Sequence, residues 1–155
     1  MTLSAIEIRQ LPPQPTACIR RSLRYSQTST IPELIGRVAE ALAEAGLELV
    51  GRPYTRVLSL GLLSMEVEVG WPVPAPFAGR GEVTAGELPG GPAAVASYFG
   101  PYEDIRPAYE AIAAWCRDHG RAVAGSPWES YCTDPGEEPD SAKWRTDVAF
   151  PLRDT

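Results

Sequence analysis

The two halves of the sequence follow the same order of segments, and this internal repeat constrains the fold more than any other feature. The stretch LPPQPTACI in the first half corresponds to LPGGPAAVA in the second, VGRPYTRV corresponds to AGSPWESY, and VGWPV corresponds to VAFPL. Each half has the pattern strand, strand, helix, strand, strand. A repeat of this length indicates two fused copies of one small module that contains both a helix and strands.

The repeat predicts a single α+β domain over residues 1–155, in which a β-α-β-β module is duplicated. We expect the repeats at about 3–72 and 81–152, with a linker rich in proline and glycine at about 73–80. The short turns favour hairpins, and hence a largely antiparallel sheet. Two such copies related by a pseudo-twofold axis would leave a ligand cleft between them.

The repeat also predicts which segments are structurally equivalent. Leu11–Ile19 should correspond to Leu88–Ala96. In the same way, Gly51–Val57 should correspond to Gly125–Tyr131. If these segments occupied different places in the structure, the duplication would be refuted.

Signals for one helix occur in each half. Thr30 can cap the first helix, with Glu33 completing a capping box, Pro32 in the first turn and Gly46 at the end. The second helix is predicted from about residue 104 to residue 120. Its apolar face would be formed by Ile105, Tyr109, Ile112, Trp115 and Cys116.

Composition limits the classes of function. A net charge of -6 argues against nucleic acid as a direct partner, because phosphate binding needs a basic surface. The cysteines Cys18, Cys116 and Cys132 have no CxxC spacing, and we detect neither a signal peptide nor a membrane span, so we expect a reduced, cytoplasmic protein. His119 is the only histidine, and we expect neither a metal nor a cofactor.

Glu129 is the one charged residue in the run from Trp128 to Cys132, on a predicted strand of the second half. Because side chains alternate along a strand, Glu129 would share a face with Tyr131, opposite to the face of Trp128. The equivalent residue of the first half is Thr55, so the module itself does not require a carboxylate here. Glu129 is therefore either a solvated strand residue or the charged group of an aromatic pocket.

Two stretches of the second half, YFGPYEDIRPAYEAIAAWCRDHG and GSPWESYCTDPGEEPDSAKWRTDVAFPL, resemble the GyrI-like small-molecule-binding family. This family is also known as the effector-binding domain of AraC- and MerR-type multidrug regulators. The resembling features are Gly-Pro-Tyr before the helix, the Trp-Glu-x-Tyr strand, the Asp-Pro-Gly turn and the closing Thr-Asp strand. The resemblance covers almost the whole chain and implies a duplicated β-α-β-β core with SHS2-like repeats.

The resemblance implies that the protein binds lipophilic, often cationic, aromatic small molecules, with Glu129 as the ligand-contacting acid. Such ligands would be held by stacking, cation–π attraction and the carboxylate. For each of the aromatic candidates, packing in the core is an equal alternative to contact with a ligand. These candidates are Tyr131, Tyr109, Trp71, Trp115, Tyr54 and Trp144, of which Tyr131 is the strongest because it shares the face of Glu129.

The resemblance leaves a second function open, because some members of the family are hydrolases that open the cyclopropane of DNA-alkylating natural products. Glu129 would then be the general acid or base, and Tyr131 would polarise the carbonyl of the substrate. We expect no gyrase-type protein partner and no haem. The domain begins at about Leu3, which leaves no room for a helix-turn-helix segment, so we expect a stand-alone member.

Overall fold

The computed structural model describes residues 1–154, which contain nine strands and two α-helices. In chain order these elements are β1 (Thr2–Leu3), β2 (Glu7–Leu11), β3 (Gln14–Arg24), α1 (Ile31–Glu44), β4 (Tyr54–Leu60), β5 (Ser64–Pro72), β6 (Thr84–Leu88), β7 (Gly91–Phe99), α2 (Arg106–Asp118), β8 (Trp128–Tyr131) and β9 (Arg145–Pro151). Each half has the predicted order of strand, strand, helix, strand, strand, with β1 added at the N-terminus.

The chain divides into two compact units. Unit A is residues 13–89, and unit B joins residues 1–12 to the segment from Gly90 onward. In unit A the strand order is β4-β5-β3-β6. In unit B, β1 and β2 both pair with β7, and the order continues through β9 to β8. Every pairing within a unit is antiparallel, which confirms the predicted fold class.

The strand register shows that the two units are built alike. Leu11 pairs with Gly91 in unit B, and Gln14 pairs with Leu88 in unit A. Leu11 and Leu88 are 77 positions apart, as are Gln14 and Gly91, so one pairing repeats the other. The compact units therefore differ from the sequence repeats. Strand β2 belongs to the first repeat but lies in unit B, and β6 belongs to the second repeat but lies in unit A.

The strands that follow the helices of the two halves, β4 and β8, are also equivalent. β4 begins three residues after Gly51, and β8 begins three residues after Gly125. Each of these strands follows the helix of its own half and pairs with the next strand along the chain. The order of elements thus agrees with the duplication.

Each helix buries its apolar face on the sheet of its own unit, as the spacing of apolar residues requires. In unit A the core residues from helix and sheet include Leu34, Val38, Leu42, Ile19, Val67 and Val69. In unit B they include Ile112, Cys116, Ala94, Ala96, Val148 and Phe150.

The predicted capping of α1 is wrong. Thr30 directly precedes the helix, but its side chain makes no capping hydrogen bond. A 3-10 turn over Tyr25–Thr30 leads straight into the helix, so the backbone of Thr30 is already helical, whereas a capping residue is usually extended. Glu33 instead pairs with Arg37 one turn later, at 2.7 Å.

The second helix starts two residues later than predicted. A 3-10 turn over Tyr102–Asp104 precedes α2, which ends at Asp118. In residues 1–154, neither helix combines the length and the apolar character that crossing a bilayer would require.

A buried polar cluster lies in unit A on the strands of the sheet. The hydroxyl of Tyr54 donates to Glu68 Oε2 at 2.6 Å and is hydrogen-bonded to the hydroxyl of Thr16 at 2.9 Å. Arg20 Nε donates to the other oxygen of Glu68 at 3.0 Å. Because the Glu68 side chain is only 1% exposed, these partners are what make its burial tolerable.

We expect Tyr54→Phe to lower the free energy of unfolding by about 1–3 kcal/mol, because buried acceptors lose their donor while the ring volume is kept. Urea denaturation measures this change. Tyr25→Phe is the matched control, since its hydroxyl binds the carbonyl of Gly61 at the surface and should matter much less. Equal stability of the Tyr54→Phe variant and the wild type would show that the cluster does not stabilise unit A.

Candidate functional site

Strand β8 places Glu129 on the face of the unit B sheet that carries helix α2. Glu129 pairs in register with Val148, whose side chain belongs to the core beneath that helix. From α2, the hydroxyl of Tyr109 donates to Glu129 Oε1 at 2.6 Å. Tyr131, two residues further along β8, is also hydrogen-bonded to the carboxylate. Glu129 is therefore held by two phenols, one from the helix and one from its own strand.

Helical spacing brings Tyr109 to this position. Tyr109 lies one turn before the buried Ile112 on α2 and is itself half-buried against the core of unit B. Its ring packs on Phe150 of β9, with 5.7 Å between the ring centroids. The ring is thus anchored in the core, while its hydroxyl reaches the carboxylate.

The electrostatic state of Glu129 is unusual for a glutamate on a strand. Burial raises the pKa of its carboxyl group, and the hydrogen bonds from Tyr109 and Tyr131 oppose that rise only in part. In residues 1–154, Glu129 forms no ion pair with a basic side chain. The residue nevertheless retains some exposed surface. A desolvated acid without a basic partner, still reachable from outside, can accept a cation or a proton.

Desolvation also acts on the phenol of Tyr109, which is hydrogen-bonded to Glu129. Burial, and then the negative charge of Glu129, raise the pKa of Tyr109 well above its ordinary value. The hydroxyl therefore stays protonated and remains a hydrogen-bond donor. It can donate to the carboxylate or to an oxygen of a bound molecule.

An aromatic stack supports Tyr131 from one side. The ring of Tyr102 meets that of Tyr131 edge to face at 5.3 Å and stacks on Trp144 at 5.0 Å. Trp144 Nε1 donates to the carbonyl of Glu138, which ties the stack to the acidic loop that follows β8. Trp144 thus lies near the site through Tyr102, a residue of the Gly-Pro-Tyr stretch that was not among the predicted ligand contacts.

The structure explains why the Gly-Pro-Tyr stretch begins with glycine. Gly100 has φ +148°, and a Cβ there would lie 2.7 Å from the hydroxyl of Tyr98. That hydroxyl donates to the carbonyl of Pro101, and the Gly100 amide donates to the carbonyl of Trp144. These contacts fix the chain where it enters the Tyr102 turn.

The other aromatic candidates have contacts of a structural kind. Trp115 stacks on His119 at the end of α2, with 4.0 Å between the rings. Trp71 packs on the core of unit A and donates from Nε1 to the carbonyl of Ile35. Tyr54 is fully buried in the polar cluster of unit A. Of the predicted residues, the contacts within unit B bring Tyr109 and Tyr131 to Glu129.

The opposite face of the unit B sheet carries a cavity of about 210 Å³. It is lined by Trp128 and Ser130, as alternation along β8 predicts, and by Asp147. Ser97 Oγ and Arg145 both donate to Asp147, so this acid has its partners within the protein. Glu129 does not line this cavity. Within residues 1–154, no group of three or more His, Cys, Asp or Glu side chains could hold a metal ion.

Several solved structures have the same fold. The C-terminal domain of EcmrR superposes with a TM-score of 0.86 at 24% identity, covering 98% of this chain and 99% of that one. In a complex of EcmrR with DNA, the match covers 97% of this chain but only 58% of that chain. A hydrolase from Listeria innocua gives a TM-score of 0.68 at 10% identity, covering 96% of this chain and 91% of that one.

A further structure is described as SAV2435 bound to tetraphenylphosphonium. Its TM-score is 0.65 at 14% identity, covering 96% of this chain and 94% of that one. Sequence comparison with curated proteins gives no significant match. At these levels of identity, the structural likenesses show the fold alone.

The sequence model of one family matches nearly the whole chain, from residue 4 to residue 153. The match includes both repeats, the strand of Glu129 and the helix of Tyr109. The chain belongs to the GyrI-like small molecule binding domain family.

Proposed function

We propose that the protein binds lipophilic, cationic aromatic compounds, in the manner of a multidrug-binding domain, with Glu129 as the acid that holds the cation. The observation that carries the proposal is a half-buried carboxylate that is hydrogen-bonded by Tyr109 and Tyr131 but has no basic partner. A bound cation would supply the missing charge. Aromatic rings beside the acid would attract the same ligand by stacking and cation–π contact.

One neighbouring structure supports this choice of ligand class. SAV2435 is described as bound to tetraphenylphosphonium, which is a lipophilic aromatic cation. Tetraphenylphosphonium has no titratable group and forms no conventional hydrogen bond, so its affinity reports on charge and apolar contact. It is therefore the natural first probe for this protein.

A second candidate is hydrolysis of a cyclopropane-bearing alkylating compound, and it is favoured by the two phenols that flank one acid. Glu129, with a raised pKa, could transfer a proton to or from water, while Tyr131 donates to a developing oxyanion. A structural neighbour from Listeria innocua is described as a hydrolase. The same residues serve both proposals, and only turnover separates them.

Glu129→Gln should weaken tetraphenylphosphonium binding by about 1.5–3 kcal/mol, because the charge is removed while the shape of the side chain is kept. Neutral triphenylphosphine oxide should lose much less. Calorimetric titration of both ligands tests this. Glu137→Gln, on the exposed loop, is the matched control and should leave both affinities unchanged. Equal losses for cation and neutral compound would contradict the charge role of Glu129.

The affinity for tetraphenylphosphonium should fall as the pH is lowered, because only the ionised carboxylate pairs with the cation. Burial raises the pKa of Glu129, so the loss should begin above the pH range of an ordinary glutamate, whose pKa is about 4.3. Titrations at a series of pH values measure it, and Glu129→Gln should lack the dependence. A wild-type affinity that stays constant down to about pH 4.3 would contradict the expectation.

If the protein is a hydrolase, it should convert a cyclopropane-bearing alkylator faster than buffer does, as followed by mass spectrometry of the small molecule. Glu129→Gln should then reduce kcat by about 10²–10⁴-fold, the usual contribution of a positioned acid or base. Tyr131→Phe should slow the reaction less. Recovery of the unchanged compound from the wild type would exclude hydrolysis of that substrate and leave the binding proposal standing.

A further inference from the structure

Thr146, on strand β9, carries a hydroxyl that the fold leaves without a partner. The residue is completely buried, and its Oγ1 atom forms no hydrogen bond with any residue in 1–154. A buried polar group without a partner destabilises a protein, and valine would fill the same space without that penalty. The hydroxyl therefore contributes nothing to the stability of unit B and calls for another explanation.

Thr146 lies on the same sheet face as Glu129. It pairs in register with Tyr131 on one side and with Tyr98 on the other. Glu129 pairs with Val148, two residues further along β9, so Thr146 is its diagonal neighbour, and such neighbours lie about 7–8 Å apart. The unpartnered hydroxyl is thus one row of side chains away from the carboxylate.

Neither neighbouring phenol is hydrogen-bonded to Thr146, and each has a partner elsewhere. The hydroxyl of Tyr98 donates to the carbonyl of Pro101 at 2.7 Å. Tyr131 is hydrogen-bonded to Glu129. Thr146 therefore lies between Tyr98 and Tyr131 in the sheet, and its hydroxyl is covered but has no partner.

We propose that Thr146 is a second polar contact for the ligand, and that the site favours lipophilic cations with a hydrogen-bonding oxygen about one aromatic ring away from the charge. This inference rests on the proposed function. A cation that pairs with Glu129 replaces the hydrogen bond from Tyr131. The half-buried Tyr131 ring then turns out of its row and uncovers the hydroxyl of Thr146.

The test compares two probes that differ by one hydroxyl, tetraphenylphosphonium and (4-hydroxyphenyl)triphenylphosphonium. The wild type should prefer the hydroxylated cation by about 2–10-fold, the worth of one hydrogen bond. Thr146→Val should abolish the preference by weakening the hydroxylated probe alone. Thr146→Ser, which keeps the hydroxyl, should retain the preference.

The matched control is Thr55→Val in unit A. Thr55 is also buried with an unpartnered Oγ1, and its strand corresponds to that of Glu129. Both valine variants should raise the melting temperature, because each removes a buried hydroxyl that has no partner. The expected rise is at least about 2–4 °C. Only Thr146→Val should change the ratio of the two affinities.

The outcomes separate this inference from the proposed function. If the wild type binds tetraphenylphosphonium and Thr146→Val leaves the affinity ratio unchanged, or lowers both affinities equally, the role of Thr146 is overturned while the cation site stands. A wild type that binds both probes equally overturns it as well. If the wild type binds neither probe, the proposed function fails, and this inference fails with it.

Discussion

Removing a carboxylate from water is costly unless hydrogen bonds or an opposite charge replace the lost hydration, and this cost decides how Glu68 and Glu129 behave. In unit A, Glu68 has both kinds of compensation, from Tyr54 and from Arg20. In unit B, Glu129 has phenol donors but no basic partner. The charge of Glu68 is therefore compensated within the fold. The charge of Glu129 is compensated when a cation binds.

The same contrast explains how a duplicated module can carry one site. The position equivalent to Glu129 in unit A is Thr55, which is buried on β4. The module thus folds with either residue at this place, and the carboxylate is an addition to a stable scaffold. Helix α2 supplies Tyr109 to meet it, and the Gly-Pro-Tyr turn supplies the ring that packs on Tyr131.

The sequence predicted the class of the fold and the order of its elements, because the repeat, the alternation of side chains along strands and the helical spacing are local patterns. It also predicted that Glu129 and Tyr131 share a face opposite to Trp128. It did not predict that each unit takes a strand from the other sequence repeat, since strand pairing depends on contacts distant in the chain. The missing cap of Thr30 has a different, local cause, because the preceding 3-10 turn gives Thr30 a helical backbone.

Within the site, the sequence offered more aromatic residues than the fold uses. Trp115 and Tyr54 were candidates by type, but the structure gives one a stacking partner at the end of α2 and the other a buried acid. Tyr102 was not among the candidates, yet its ring contacts Tyr131. Thr146 was part of the closing Thr-Asp strand, but its sequence context gave no sign of a site, because an unpartnered hydroxyl is recognised only when the surroundings of the atom are known.

The central claim is that Glu129 is a desolvated acid whose missing partner is the charge of the ligand. Nuclear magnetic resonance of the Glu129 carboxyl carbon, followed through a pH titration with and without tetraphenylphosphonium, tests it most directly. The account predicts a pKa above the ordinary glutamate value in the empty protein, which falls when the cation is bound, because the cation stabilises the ionised form. An ordinary or lowered pKa in the empty protein, or one that does not respond to the cation, would contradict it.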